Sequence, residues 1–126
     1  MRPPAWGFFS SVVHVLQGII YAEKHNLTPV VDMENYWVAE LSSTKKINDT
    51  YNAWCYFFEQ ISNYSLQEVY KSRNVILSAG SRILGADHWF SDRKLHYLSE
   101  SDHLRTISGI INKYIRLNKN TLGEVQ

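Results

Sequence analysis

Two carboxylates stand at and just after the end of a short β-rich run, where they could bind a substrate or transfer a proton. Residues 28–32 read TPVVD, and Met33 and Glu34 follow Asp32. Ligands of open α/β sheets bind beyond the carboxyl ends of the strands, where a carboxylate can accept a hydrogen bond from a substrate hydroxyl or take its proton. We therefore predict Asp32 and Glu34 as catalytic residues. Capping of the following loop is the ordinary alternative.

A glycine turn stands before the helix that leads to this run. Gly7 can adopt backbone angles that other residues avoid. Backbone amides at a helix N-terminus attract phosphate oxygens, although a lone glycine lacks the full phosphate-loop pattern. The predicted phosphate-binding turn consists of Gly7, Phe8, Phe9, Ser10 and Ser11, with His14 one turn further along. The alternatives are an ordinary turn and a half-buried structural histidine.

A metal site is a weaker interpretation of the same sequence. Asp32 and Glu34 imitate an Asp-x-Asp pair, but a hard cation needs more oxygen ligands than two carboxylates supply. His88, Asp92 and His96 have the spacing of ligands on one helix face, but their surroundings show no helical pattern. The sequence therefore predicts no metal site.

Three helices are predicted around these residues. The first spans residues 10–25, with Ser10 or Ser11 as its N-cap and Asn26 at its end. Residues 65–68 (SLQE) form a capping box, which predicts a helix to about residue 71. A long helix capped by Ser99 or Ser101 follows. Its predicted apolar positions are Leu104, Ile107, Ile111, Tyr114 and Ile115.

The predicted strands are residues 28–32 and 74–78 (NVILS). Between them lie the SLQE helix and residues 52–60 (NAWCYFFEQ), an aromatic segment expected to form a short helix. Helical crossovers join parallel strands. The expected fold class is therefore α/β: a three-layer Rossmann-like parallel sheet flanked by helices.

Composition limits the partners of this chain. Its 126 residues suit a single domain, and a net charge of +1 gives no basic face for nucleic acid. The lone cysteine, Cys55, excludes an internal disulfide and favours a reducing, cytoplasmic setting. The apolar run of residues 8–20 is short and interrupted by polar side chains, so no membrane span is expected.

Four runs together carry a family resemblance: GFFSSVVHVLQGIIYAEKHNLTPVVDMENYW, NAWCYFFEQ, SLQEVY and NVILS. They resemble the N-terminal half of fucosyltransferase-like glycosyltransferases, the superfamily of O-fucosyltransferases and nodulation α-1,6-fucosyltransferases. The resemblance covers the chain from about Trp6 to Asn120. It implies half of a GT-B-type fold and metal-independent transfer, without a cofactor, from a nucleotide sugar such as GDP-fucose to a glycan acceptor.

The resemblance also assigns roles to residues. The glycine turn, Gly7 to Ser11, would contact the nucleotide-sugar donor, and we add His14 to this donor site. We place the acceptor on Asn35, Tyr36 and Trp37, which follow the two carboxylates. The chain departs from the family at Ser11 and Val13, where asparagine is frequent, and it lacks the basic H-x-R-x-x-D donor motif.

The missing basic motif suggests an incomplete enzyme. The motif normally follows the long helix, and a capping-box pattern at residues 121–124 stands just before the last residue. We expect a truncated, acceptor-side N-terminal domain of residues 1–126 that lacks its C-terminal domain and transfers no sugar alone. The alternative is a non-catalytic α/β binding or interaction domain, and the sequence beyond Gln126 would discriminate between the two hypotheses.

Overall fold

The computed structural model describes residues 8–35, 44–77 and 100–125; for residues 8–10 and 100–104 it describes the backbone only. Within these ranges the chain forms α1 (Phe8–Lys24), a 3-10 helix η1 (Ala53–Tyr56), α2 (Leu66–Lys71), α3 (Glu100–Tyr114) and α4 (Lys119–Val125). The described helices include none that is both long and apolar enough to cross a membrane.

The predicted end of α1 is confirmed, whereas its predicted start is wrong. Asn26 has φ 53°, and the N–H of Leu27 donates to the carbonyl of Ala22 over 2.8 Å. This bond and the left-handed residue before it form a Schellman C-cap. At the other end α1 begins at Phe8, so Ser10 and Ser11 lie inside the helix and neither is its N-cap.

The predicted Rossmann-like parallel sheet is wrong for the residues that the structure describes. They contain no β-strand, only the isolated bridges Ile47–Thr50 and Phe58–Leu117. Side chains replace a neighbouring strand at Val31: its N–H donates to Gln60 Oε1 (2.9 Å), and its carbonyl accepts from Asn52 Nδ2 (2.9 Å). Of the second predicted strand, residues 74–77 are described and exposed; Ser78 lies outside the described residues.

The aromatic segment contributes to the core, and of its residues 52–60, predicted as a short helix, only Ala53–Tyr56 form one, η1. Trp54 is fully buried in η1, and its indole N–H donates to the carbonyl of Glu59 over 2.9 Å. Trp54 belongs to one core cluster with buried residues from α1, η1, α3 and the intervening segments: Val15, Ile19, Val31, Met33, Ala53, Tyr56, Ile61 and Ile110. This cluster joins segments that lie far apart in the sequence.

The buried face of α3 differs by one position from the prediction. Ile110 is 7% exposed and belongs to the core, whereas Ile111, predicted to be buried, is 41% exposed. Ile110, Tyr114 and the half-buried Ile107 are three or four residues apart, the spacing of one helix face. The backbone of Ser101 lies inside α3, and Ser99 lies outside the described residues.

The two shorter helices have side-chain caps. The predicted capping box of α2 is confirmed: Ser65 Oγ accepts from the N–H of Glu68 (3.2 Å), and Glu68 Oε2 accepts from the N–H of Ser65 (2.7 Å). At α4, Asn118 Oδ1 accepts from the N–H of Thr121 (2.9 Å), and Asn118 Nδ2 donates to the carbonyl of Cys55 (2.9 Å). The cap of α4 thereby attaches it to the aromatic segment.

Candidate functional site

A cleft of about 710 Å³ lies between the end of α1 and helix α2. One wall consists of Gly18, Tyr21 and Ala22 of α1 and residues 26–30 after it. The opposite wall consists of Tyr64, α2 and residues 72–77. Asp32 also lines the cleft, so the first predicted carboxylate lies in a concave site.

The carboxylate of Asp32 is buried and directed by several donors. Asp32 is 5% exposed, and its Oδ1 accepts from the backbone N–H groups of Glu34 (3.1 Å) and Asn35 (3.0 Å). These bonds form a local Asx-type turn. The hydroxyl of Tyr70 in α2 donates to the other oxygen, Oδ2. Asp32 therefore both caps its own loop, as the ordinary alternative predicts, and joins this loop to α2 at the cleft.

Glu34 does not share a site with Asp32. Its side chain is exposed, and it is not among the residues that line the cleft. Burial raises the pKa of the Cys55 thiol to about 11, and the negative charge of Glu34 is a smaller cause in the same direction. The pKa of Tyr56 is raised by the same two causes in the same order. The charge of Glu34 is therefore felt by Cys55 and Tyr56 of the aromatic segment.

The predicted donor residues lie at the other end of α1 from the cleft. The backbone of Phe8, Phe9 and Ser10 forms the first turn of α1, and Gly7 lies outside the described residues. Ser11 is fully buried, and His14 is half-buried one turn further along. The first turn of an α-helix has amides without an intrahelical acceptor. Phosphate binding there stays a prediction, separate from the cleft.

The predicted acceptor residues are described only in part. Asn35 is exposed, and its Nδ2 lies 3.3 Å from Asp32 Oδ1, whereas Tyr36 and Trp37 lie outside the described residues. His88, Asp92 and His96 lie outside them as well. Among the residues that are described, no group of three His, Cys, Asp or Glu side chains is arranged to hold a metal ion.

Sequence reasoning missed Tyr64 and Tyr70, two of the three tyrosines that line the cleft. Tyr64 is 53% exposed, and Tyr70, which bonds to Asp32, is 47% exposed. The capping box between them was recognised, but nothing in its pattern indicates that α2 turns Tyr70 toward Asp32, 38 residues earlier in the chain. The high aromatic content, 13% of the residues, was the only sequence signal.

No family pattern, curated protein or solved structure matches the chain. The resemblance to fucosyltransferase-like enzymes therefore rests on the sequence runs that suggested it. The cleft beside Asp32 is a feature of the fold and does not depend on that resemblance.

Proposed function

We propose that the cleft beside Asp32 binds a sugar. In this proposal the chain is part of a fucosyltransferase-like glycosyltransferase, which transfers a sugar from a nucleotide sugar such as GDP-fucose to a glycan acceptor. The observation that carries the proposal is the buried Asp32 carboxylate, which accepts from the Tyr70 hydroxyl at the wall of a concave site.

The chemistry of the cleft suits a sugar. Carbohydrates present hydroxyl donors beside apolar C–H faces. A carboxylate accepts hydrogen bonds from hydroxyls more strongly than a neutral group does. The exposed rings of Tyr64 and Tyr70 offer flat apolar faces, and the exposed side chains of residues 75–77 extend the apolar lining. A mostly apolar cleft with a few directed polar groups is typical of small-molecule sites.

Asp32 fits the role of orienting a hydroxyl better than that of a general base. Its oxygens already accept from two backbone amides, the Asn35 side chain and Tyr70, and these bonds hold the carboxylate in one direction. A fixed acceptor positions a substrate hydroxyl. Departure of a nucleoside diphosphate also requires cations or directed donors. Among the described residues that line the cleft, Arg73 is the single lysine or arginine, and one cation is a small set for this task. We therefore still expect no sugar transfer by these 126 residues alone.

A non-catalytic sugar-binding or interaction domain is the second candidate. The separation of Glu34 from Asp32 favours it, because the two predicted catalytic carboxylates do not face one substrate. Both candidates require the cleft to bind sugar. They differ in whether the longer protein, if the chain is a piece of one, turns over a nucleotide sugar.

The test is calorimetric titration of the 126-residue chain with GDP-fucose, GDP and free monosaccharides. Tyr70→Phe removes only the hydroxyl that donates to Asp32. We expect it to weaken sugar binding by about tenfold, the equivalent of one hydrogen bond to a charged group. Tyr51→Phe is the matched control, because Tyr51 is exposed and lies outside the cleft lining.

Three results would contradict parts of this proposal. Absence of binding by every sugar and by GDP-fucose would remove the sugar-binding function. Equal loss of affinity in Tyr70→Phe and Tyr51→Phe would show that the cleft is not the sugar-binding site. Turnover of GDP-fucose by the chain itself, well above buffer, would show that its catalytic groups are already present.

A further inference from the structure

Two amide side chains hold the backbone on both sides of Asp32. Gln60 bonds to both polar groups of Val31: Oε1 accepts from its N–H (2.9 Å), and Nε2 donates to its carbonyl (3.0 Å). Asn52 is 3% exposed; its Nδ2 donates to the same carbonyl (2.9 Å), and its Oδ1 accepts from the N–H of Met33 (3.1 Å). We refer to Asn52 and Gln60 as the amide clamp.

The amide clamp supplies the backbone of Val31 and Met33 with hydrogen bonds that a neighbouring strand would supply in a sheet. In an extended segment, side chains alternate between two faces, so a shift by one residue would exchange the buried and outward sides. Val31 and Met33 are fully or almost fully buried in the core, whereas Asp32, between them, lines the cleft. Because the clamp bonds to Val31 and to Met33, it fixes which residue of this segment faces the cleft.

We infer that Asn52 and Gln60 are positioning residues for the sugar site. They act through the backbone of Val31 and Met33 to set the direction of the Asp32 carboxylate, and thereby the affinity of the cleft for a sugar. The effect on affinity rests on the proposed function, whereas the effect on the direction of Asp32 does not. Neither residue lines the cleft, so any effect on binding is indirect and passes through the backbone segment that contains Asp32.

Two isosteric variants replace a clamp donor with a carboxylate oxygen, which the Val31 carbonyl repels, without creating a cavity. Asn52→Asp keeps an oxygen for the N–H groups of Met33 and Trp54, which Asn52 Oδ1 already accepts, but loses the donor to Val31. Gln60→Glu makes the same change at a half-buried residue. The matched control is Asn48→Asp, because Asn48 Nδ2 donates to the carbonyl of Tyr56 (3.1 Å), a bond that does not hold the Asp32 segment.

Amide NMR spectra of the full 126-residue chain report the direction of Asp32. The N–H groups of Glu34 and Asn35 donate to Asp32 Oδ1, so their signals shift when that carboxylate moves. We expect both signals to shift in Asn52→Asp and Gln60→Glu and to stay in place in Asn48→Asp. Calorimetry with the sugar that the wild type binds should show affinity about tenfold weaker in the two clamp variants.

A merely structural role of the clamp would give a different result. In that case the variants would unfold more readily, while the folded protein would keep the wild-type positions of the Glu34 and Asn35 amide signals and the wild-type sugar affinity. That combination of results would overturn the inference. If Asn52→Asp does not fold, Gln60→Glu carries the test. If the wild type binds no sugar, the proposed function fails, and the two amide signals alone decide whether the clamp directs Asp32.

Discussion

Residues 30–33 and residues 74–77 are similar in sequence but differ in their surroundings. Both are short runs rich in apolar and β-branched residues, VVDM and NVIL, and they overlap the predicted strands 28–32 and 74–78. In the first, Val31 is fully buried and Met33 is 1% exposed. In the second, Val75 is 37% exposed and Ile76 is 60% exposed. Similar composition thus gives a segment anchored in the core by Val31 and Met33 in one place and an exposed cleft wall in the other.

The difference shows that an extended segment needs partners for its backbone as well as apolar side chains. Buried N–H and C=O groups must form hydrogen bonds, and a lone segment cannot supply them to itself. The amide clamp supplies them to Val31 and Met33, which permits their burial. At residues 75–77 the exposed side chains line the cleft, where a ligand can contact them.

The largest expected effect tests the burial difference directly. Met33→Ala removes an almost fully buried side chain and should lower the free energy of unfolding by about 2–5 kcal/mol. Ile76→Ala at the exposed segment should change it by less than about 0.5 kcal/mol. Urea denaturation followed by tryptophan fluorescence measures both. Equal losses in the two variants would refute the contrast between the segments.

The second largest loss of stability is expected when the amide clamp is broken. Gln60→Met removes both of its bonds to Val31 and leaves the Val31 N–H without its acceptor. We expect a loss of about 1–3 kcal/mol in the free energy of unfolding, the cost of a buried unsatisfied donor. Gln67→Met on the exposed face of α2 is the control and should be close to neutral. A neutral Gln60→Met would show that water satisfies Val31 equally well.

A smaller effect is expected at the helix between the two segments. Ser65→Ala removes the N-cap of α2, and we expect a loss of about 1 kcal/mol. Ser72 Oγ accepts from the N–H of Asn74 (3.2 Å) at an exposed position, so Ser72→Ala should lose less than about 0.5 kcal/mol. Thermal denaturation compares the two. A larger loss in Ser72→Ala would mean that the entry to residues 74–77 is more important for stability than α2.

The smallest effect lies at the end of α1, just before the first segment. Lys113 Nζ and the Tyr114 hydroxyl donate to the Glu23 carboxylate, and these bonds lower its pKa from the ordinary value of 4.5. Because the pKa is lower in the folded state than in the unfolded state, the stabilisation is complete above about pH 4.5 and is lost as the pH falls through the folded value.

The pH dependence of Tm in Glu23→Gln tests this linkage. The variant should have a slightly lower Tm than the wild type at neutral pH, and the difference should shrink below about pH 4.5. Glu124→Gln, at an exposed position in α4, serves as the control and should follow the wild type throughout. A Tm difference that grows on acidification would have the wrong sign for this contact.

Local signals in the sequence were the most dependable part of the prediction. The Ser65–Glu68 capping box and the stop at Asn26 each depend on a few neighbouring residues, and both are confirmed. The predicted start of α1 and the predicted buried residue of α3 each differ from the structure by one or two positions. Both depend on packing against other segments. Asp32 lines the cleft and Glu34 does not, although residues two apart share a face in an extended chain, because the turn that Asp32 forms with the N–H groups of Glu34 and Asn35 ends the extended segment.

The sequence by itself determined the approximate positions of the helices, the stop at Asn26, the capping box of α2 and the apolar residues available for a core, because these follow from interactions within a few residues. Only the tertiary structure decided that VVDM is held by Asn52 and Gln60 and not by a second strand. It also decided that Tyr70 reaches Asp32 to form the wall of a cleft. Those contacts join residues 19 to 38 positions apart, and no local pattern specifies which distant partner satisfies a given backbone or carboxylate group.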